Sequence, residues 1–226
     1  MNKQVKTEID IKTYKKRNIF YRFKTFPDSS YGFDVDINVD KVVRLSKQRK
    51  ESFFAYFMFL VMKAMDPIYE LHLRYEKGHV YYYKIIAPTY TVMTNDGVYV
   101  DCGNEMNDDF REFYQDLRDK VEKAKKITIG DELDSFPICV RQDVVYATCI
   151  PTLNFAGMNH PTPANNLDSL SVPRICWGKY HLASDNQYHL MINITVSHAL
   201  VDGLPLAQAF NNLQELAFKA DSILVA

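Results

Sequence analysis

INITVSHALVDGLPLAQAFNNLQEL, residues 192–216, joins two different periodicities at one turn. The run from Met191 to Val196 is rich in strand-forming residues, and Leu206, Phe210, Leu213 and Leu216 recur at helical spacing. Ser197-His198-Ala199-Leu200-Val201-Asp202-Gly203 lies between them. A histidine at the end of a strand is held by a stiff element yet stands at its mouth, where a substrate can reach it. Imidazole is the side chain whose unperturbed pKa lies nearest neutrality, which suits it to take a proton from a hydroxyl or thiol. Four residues on, Asp202 can anchor the turn through a charge-assisted bond, and Gly203 permits a tight backbone there. A lone histidine is more often structural. The pattern His-x-x-x-Asp-Gly between a strand and an amphipathic helix shifts His198 toward function.

Composition narrows the field. The chain has 226 residues, enough for one substantial core, with 47% hydrophobic and 13% aromatic residues. Lys plus Arg number 27 against 28 for Asp plus Glu, so charge makes no case for a nucleic-acid partner. No apolar run is long enough for a membrane span, and MNKQVKTEID carries no apolar signal-peptide core, so a cytoplasmic location is expected. Cys102, Cys139, Cys149 and Cys176 have no zinc-like spacing and read as free thiols. Phosphate-loop motifs are absent.

Outward from the central stretch, the strand 187–196 is preceded by another at 175–180 and by an irregular segment, 156–173, broken by Gly157, Pro161, Pro163 and Pro173. Residues 143–150 read as a buried strand that carries Thr148. Residues 107–126 form the clearest amphipathic helix, acidic at its start and basic at its end. Short strands are expected at 71–75, 79–86, 90–93 and 98–102, with His72 and His79 as surface residues. Residues 52–65 are a strongly apolar helix, and Asp40 can cap another at 41–50 after a strand at 34–39. Residues 23–33 read as an aromatic, turn-rich loop, preceded by a helix up to Arg22 that Thr13 can cap. The tail after Leu216 is expected to fray.

The order of these features resembles the CoA-dependent acyltransferases, and in particular the chloramphenicol acetyltransferase family. The family form is His-His-x-x-x-Asp-Gly, then a helix ending in a Leu-Gln-Glu-like segment. Here Asn212-Leu213-Gln214-Glu215 fills that place, and Ser197 replaces the first histidine. Phe110 to Tyr114, Gly178-Lys179-Tyr180, Asn154-Phe155 and Tyr90-Thr91-Val92 match further family steps in the same order.

The resemblance implies a two-layer α/β sandwich with a mixed sheet, as a single chloramphenicol acetyltransferase-like domain over 1–226. It implies a homotrimer with each active site between subunits. It also implies acetyl-CoA as co-substrate, no bound cofactor or metal, and a small hydroxyl-bearing acceptor, chloramphenicol first, so that the activity would confer antibiotic resistance. In this pattern His198 is the general base, Thr148 stands where a serine supports the oxyanion, and Asp202 braces the turn, paired with Lys16 or Arg17. Phe23, Phe33, Cys176, His160 and Tyr180 fall at substrate-side positions. Phe23 replaces a common tyrosine, Cys176 a threonine and Thr152 a tryptophan. His160 falls in a segment that is apolar in the family; it reads by default as an exposed loop residue and otherwise as a wall of the acceptor pocket. Two alternatives stay open: the same chemistry on another acceptor, of which an acyltransferase core of the 2-oxoacid dehydrogenase type is a weaker version, and a silent trimer that only binds a small molecule or partner.

Overall fold

The computed structural model describes residues 5–128 and 136–224. Its main sheet has seven strands. They are β2 (Ser30–Asn38), β5 (Ala87–Met93), β6 (Tyr99–Gly103), β7 (Val144–Cys149), β8 (Arg174–Trp177), β9 (His181–Leu182) and β10 (Tyr188–Ser197). The order is β2-β10-β8-β7-β5-β6, with β9 paired to β10. The β5–β7 and β7–β8 pairs are parallel and the others antiparallel, which makes the sheet mixed. A separate antiparallel sheet joins β1 (Lys6–Ile9), β4 (His79–Tyr83) and β3 (Leu73–Glu76).

Helices cover one face of the main sheet. α3 (Phe53–Met65) is the central one. Ser52 caps it by accepting the Ala55 N–H through its hydroxyl. Its sequence is apolar on nearly every side, so it must be buried on nearly every side. Ten of its thirteen residues are buried, and Phe54 and Phe57 pack on the Trp177 indole of β8. Each large side chain so buried contributes about 1.5–3 kcal/mol. Beside it lie α2 (Asp40–Arg49), α4 (Phe110–Ala124, capped by Asp109) and α6 (Gly203–Phe218). Ile192, Ile194 and Val196 of β10 face these helices, and Asn193, Thr195 and Ser197 take the other face.

Several expectations change. Thr13 is not a cap, because α1 starts later (Arg17–Phe23, after Lys16) and Thr13 spends its hydroxyl on Asp10 O. The aromatic loop is shorter than expected, since β2 begins at Ser30. Val39, not Asp40, occupies the cap of α2; the Asp40 carboxylate accepts from Tyr188 N and Arg44 instead. The irregular segment contains a one-turn helix, α5 (Leu167–Leu170). His72 is not a surface residue: it is 1% exposed, and its ring nitrogens meet Tyr83 O and Asp66 O at 2.7 and 2.8 Å. The tail does not fray at Leu216. A further turn, α7 (Ala220–Ile223), follows, Leu224 is buried, and Arg49 donates to Leu224 O at 2.9 Å.

Arg74 clamps β3 to the main sheet. It is fully buried, and its guanidinium donates to the carbonyls of Leu71, Leu73, Gln142 and Val144 at 2.7–2.9 Å. Burial lowers its pKa to about 10, so it stays charged at neutral pH. Arg74→Met would take the guanidinium from four carbonyls, three of them buried, at about 1–3 kcal/mol for each buried one left unsatisfied. A loss of at least about 3 kcal/mol, read by urea denaturation, is the expected result.

Candidate functional site

His198 is positioned from three directions. β10 ends at Ser197, and the His198 N–H donates to Ser29 O at 2.8 Å. The hydroxyls of Ser29 and Ser197, both buried, meet at 2.8 Å, and Ser197 Oγ accepts the Ala199 N–H. The serine in place of a histidine therefore ties the turn to the start of β2. The imidazole stacks on Phe23 (4.0 Å between centroids, 6° between planes) and leans on Tyr31 at 4.6 Å. Tyr31 donates its hydroxyl to Val201 O, bracing the turn from beneath. Burial, then the charge of Asp202, raises the Tyr31 pKa, so the phenol stays protonated.

Asp202 is the residue before α6, and its Oδ2 lies 2.8 Å from Lys16 Nζ. Lys16 also holds Glu70 at 2.7 Å. Partial burial works against the ammonium, but these hydrogen bonds outweigh it and keep the Lys16 pKa above its ordinary value. Of the two candidate cations, Lys16 is the partner. Asp202 Oδ1 stands 3.8 Å from His198 Nδ1, too far for a hydrogen bond, and Nδ1 is buried with no hydrogen-bond partner among the described residues. The aspartate thus braces the turn more directly than it orients the ring.

Thr148 is elsewhere. Asn193 pairs with Cys176 and Cys176 with Thr148, which puts the three level across β10, β8 and β7. His198 lies five residues beyond Asn193, so its Cα is roughly 19 Å from that of Thr148, at about 3.3 Å per residue and 4.8 Å per strand. Thr148 opens on a cavity of about 270 Å³ shared with Thr91, Asp101, Cys139 and Tyr146. Cys176 is fully buried, and burial pushes its thiol up to about 11.

The remaining expected residues separate further. Phe33 is partly exposed near the start of α6, its ring 6.5 Å from that of Phe210. Tyr180 packs against Phe53 and Tyr188 at the opposite end of β10 from His198, beside Lys47. His160 is not the exposed loop residue of the default reading: it is half-buried, in a cavity with Asp34 and Asn193. Tyr31, Ser29, Asp34 and Asn193 were not expected. The signal for two of them was present, because alternation along β2 places Tyr31 with Phe33 on one face and Asp34 on the other.

A protein-family model described as "Chloramphenicol acetyltransferase" matches residues 4–214. The chain belongs to the chloramphenicol acetyltransferase family. It is therefore an enzyme of the acyltransferase class. Among its relatives, the chloramphenicol acetyltransferase of Clostridium butyricum is 23% identical over 213 residues, covering 93% of this chain and 94% of the relative. Chloramphenicol acetyltransferase 3 of Escherichia coli is 24% identical, covering 93% and 96%. A solved chloramphenicol acetyltransferase superposes with a TM-score of 0.84 at 18% identity, over 94% of this chain and all of that one. The truncated catalytic core of a 2-oxoacid dehydrogenase complex from Thermoplasma acidophilum shares the fold more distantly, with a TM-score of 0.63 at 15% identity, over 92% and 97%. Family membership and the mixed sheet under one helical layer agree with the expected two-layer α/β sandwich. No helix among the described residues is long and apolar enough to cross a membrane. No group of three or more metal-ligating side chains occurs among them.

Proposed function

We propose that this family member transfers the acetyl group of acetyl-CoA to a hydroxyl of a small acceptor, with His198 as general base and no bound cofactor. The setting of His198 carries the reading: a strand-end imidazole pinned through its own N–H, stacked on Phe23, with Nδ1 turned inward and Nε2 left for the reaction. His198 Nε2 takes the acceptor's hydroxyl proton as that oxygen attacks the thioester carbonyl carbon. The carbonyl electrons move to oxygen, and the Thr148 hydroxyl donates to the resulting oxyanion. Collapse breaks the carbon–sulfur bond. The departing CoA thiolate recovers the proton from the imidazolium, and acetylated acceptor and free CoA leave. Chloramphenicol is the first acceptor to test, since the relatives are named for it, and its acetylation would underlie antibiotic resistance.

The wide separation of Thr148 from His198 supports a site shared between copies of the chain. One subunit cannot bring both to a single carbonyl carbon, whereas a homotrimer can set His198 of one copy against Thr148 of the next. Two inactive variants, His198→Ala and Thr148→Val, should then complement each other. Refolded together at equal concentration, they would assemble active pairings at about a quarter of the sites. The measurement is thiol release from acetyl-CoA. A mixture as inactive as its parents would remove the shared site.

A further inference from the structure

A second cavity, of about 260 Å³, lies on the face of the main sheet opposite the helices, under the loop 157–162. Its floor is the β2–β10 pair, and its roof carries Met158, His160 and Thr162. Tyr31 borders one end of it, while the Tyr31 ring lies with Phe33 on the helix-side face of β2 and packs on His198 there. Asp34 and Asn193 on its floor are level with Cys176 and Thr148. Gly32 lets β2 approach β10 closely beside the cavity, since a Cβ there would come within 2.6 Å of Ile194 O and Thr195 Oγ1.

The wall is polar and built. Asn193 is saturated: its Oδ1 accepts from Thr195 Oγ1 at 2.8 Å, and its Nδ2 donates to Asp34 Oδ1 at 3.0 Å and Met158 O at 3.2 Å. Asp34 Oδ1 also accepts the Met158 N–H at 3.1 Å, which leaves Asp34 Oδ2 for a ligand. Asp28 is held by Ser30 N and Thr162 Oγ1 at 2.8 and 2.6 Å. Burial opposes its charge, but these hydrogen bonds outweigh burial and hold it below the ordinary carboxylate range. His160 Nε2 is shielded from solvent with no hydrogen-bond partner of ordinary geometry among the described residues. Burial first, then the charge of Arg174, push the His160 pKa down, so the ring is neutral at pH 7. The Arg174 guanidinium is itself occupied by Ser169 and Val172. The cavity therefore presents two carboxylates and unspent polar atoms.

We propose that this cavity is the acceptor pocket, and that it takes a compact, hydroxyl-rich acceptor bearing an ammonium group in preference to an aromatic, uncharged one. The proposal rests on the acetyl-transfer reading for its chemistry and on the cavity wall for its specificity. An apolar ligand pressed on Asp34 Oδ2 strips its water and returns no hydrogen bond, and it leaves His160 Nε2 unsatisfied. A hydroxyl can bridge the imidazole nitrogen, and an ammonium can meet the carboxylate. Sites built to bind polar groups reject analogues that lack them far more strongly than apolar sites reject an extra hydroxyl.

Three probes test it on the purified protein: glucosamine, glucose and chloramphenicol. Each is measured by calorimetric titration and by thiol release from acetyl-CoA. The expected result is tighter binding and higher kcat/KM for glucosamine than for chloramphenicol, with glucose between. Asp34→Asn should weaken glucosamine by about tenfold or more while leaving chloramphenicol unchanged. His160→Leu should shift the preference toward chloramphenicol by a similar factor, and it keeps the test alive if Asp34→Asn fails to fold. Preference for chloramphenicol by the unaltered protein, or glucosamine binding insensitive to both substitutions, overturns the proposal. If no probe releases thiol, the acetyl-transfer reading fails separately. The titrations then still decide the pocket, because glucosamine binding lost in Asp34→Asn upholds it and no glucosamine binding overturns it.

Discussion

His198→Ala is expected to lower acetyl transfer by at least about 10²-fold, the low end for a positioned general base. Without the imidazole, the acceptor hydroxyl must attack while still carrying its proton, and the departing thiolate finds no acid. The substitution is structurally mild. The ring is about one-third exposed, and its loss costs the stacking on Phe23 and Tyr31, about 0.5–1.5 kcal/mol. The main-chain bond to Ser29 survives any side-chain change. His198→Gln is the companion variant, similar in bulk but without a base of useful pKa. Steady-state thiol release, beside urea denaturation of each variant, makes the comparison. A folded His198→Ala protein that turns over near the original rate would end the general-base assignment.

Thr148→Val should cut kcat by roughly 10²-fold, the usual size of one oxyanion donor, with little change in KM. Valine keeps the β-branched shape that suits β7 and removes only the hydroxyl. Thr148→Ser restores the hydroxyl and should recover most of the rate. This split separates a donor that acts in the transition state from a side chain that only fills space. If valine and serine behave alike, position 148 supplies packing and the oxyanion is held by another group.

Much of this site was legible in the chain. The strand, turn and helix around His198 follow from a change of hydrophobic period, and the helices at 53–65 and 110–124 from their own apolar patterns. His72 was not legible. Its short polar-apolar alternation fits a surface strand, yet the backbone there turns into a 3-10 helix and two main-chain carbonyls claim the ring. His160 misled for a related reason, since proline- and glycine-rich sequence implies a loop but not what the loop covers.

Local sequence determined the elements, the caps at Ser52 and Asp109, and the strand-end placement of His198, because these depend on side-chain period and on groups within a turn or two. Tertiary structure alone decided which distant groups meet. Lys16 reaches Asp202, Ser29 locks Ser197, and Phe23 lies flat on the imidazole, each across more than 160 residues. It also decided the separation of Thr148 from His198, which follows from strand order and register. Register is set by which faces the whole sheet must bury, and no single segment carries that information.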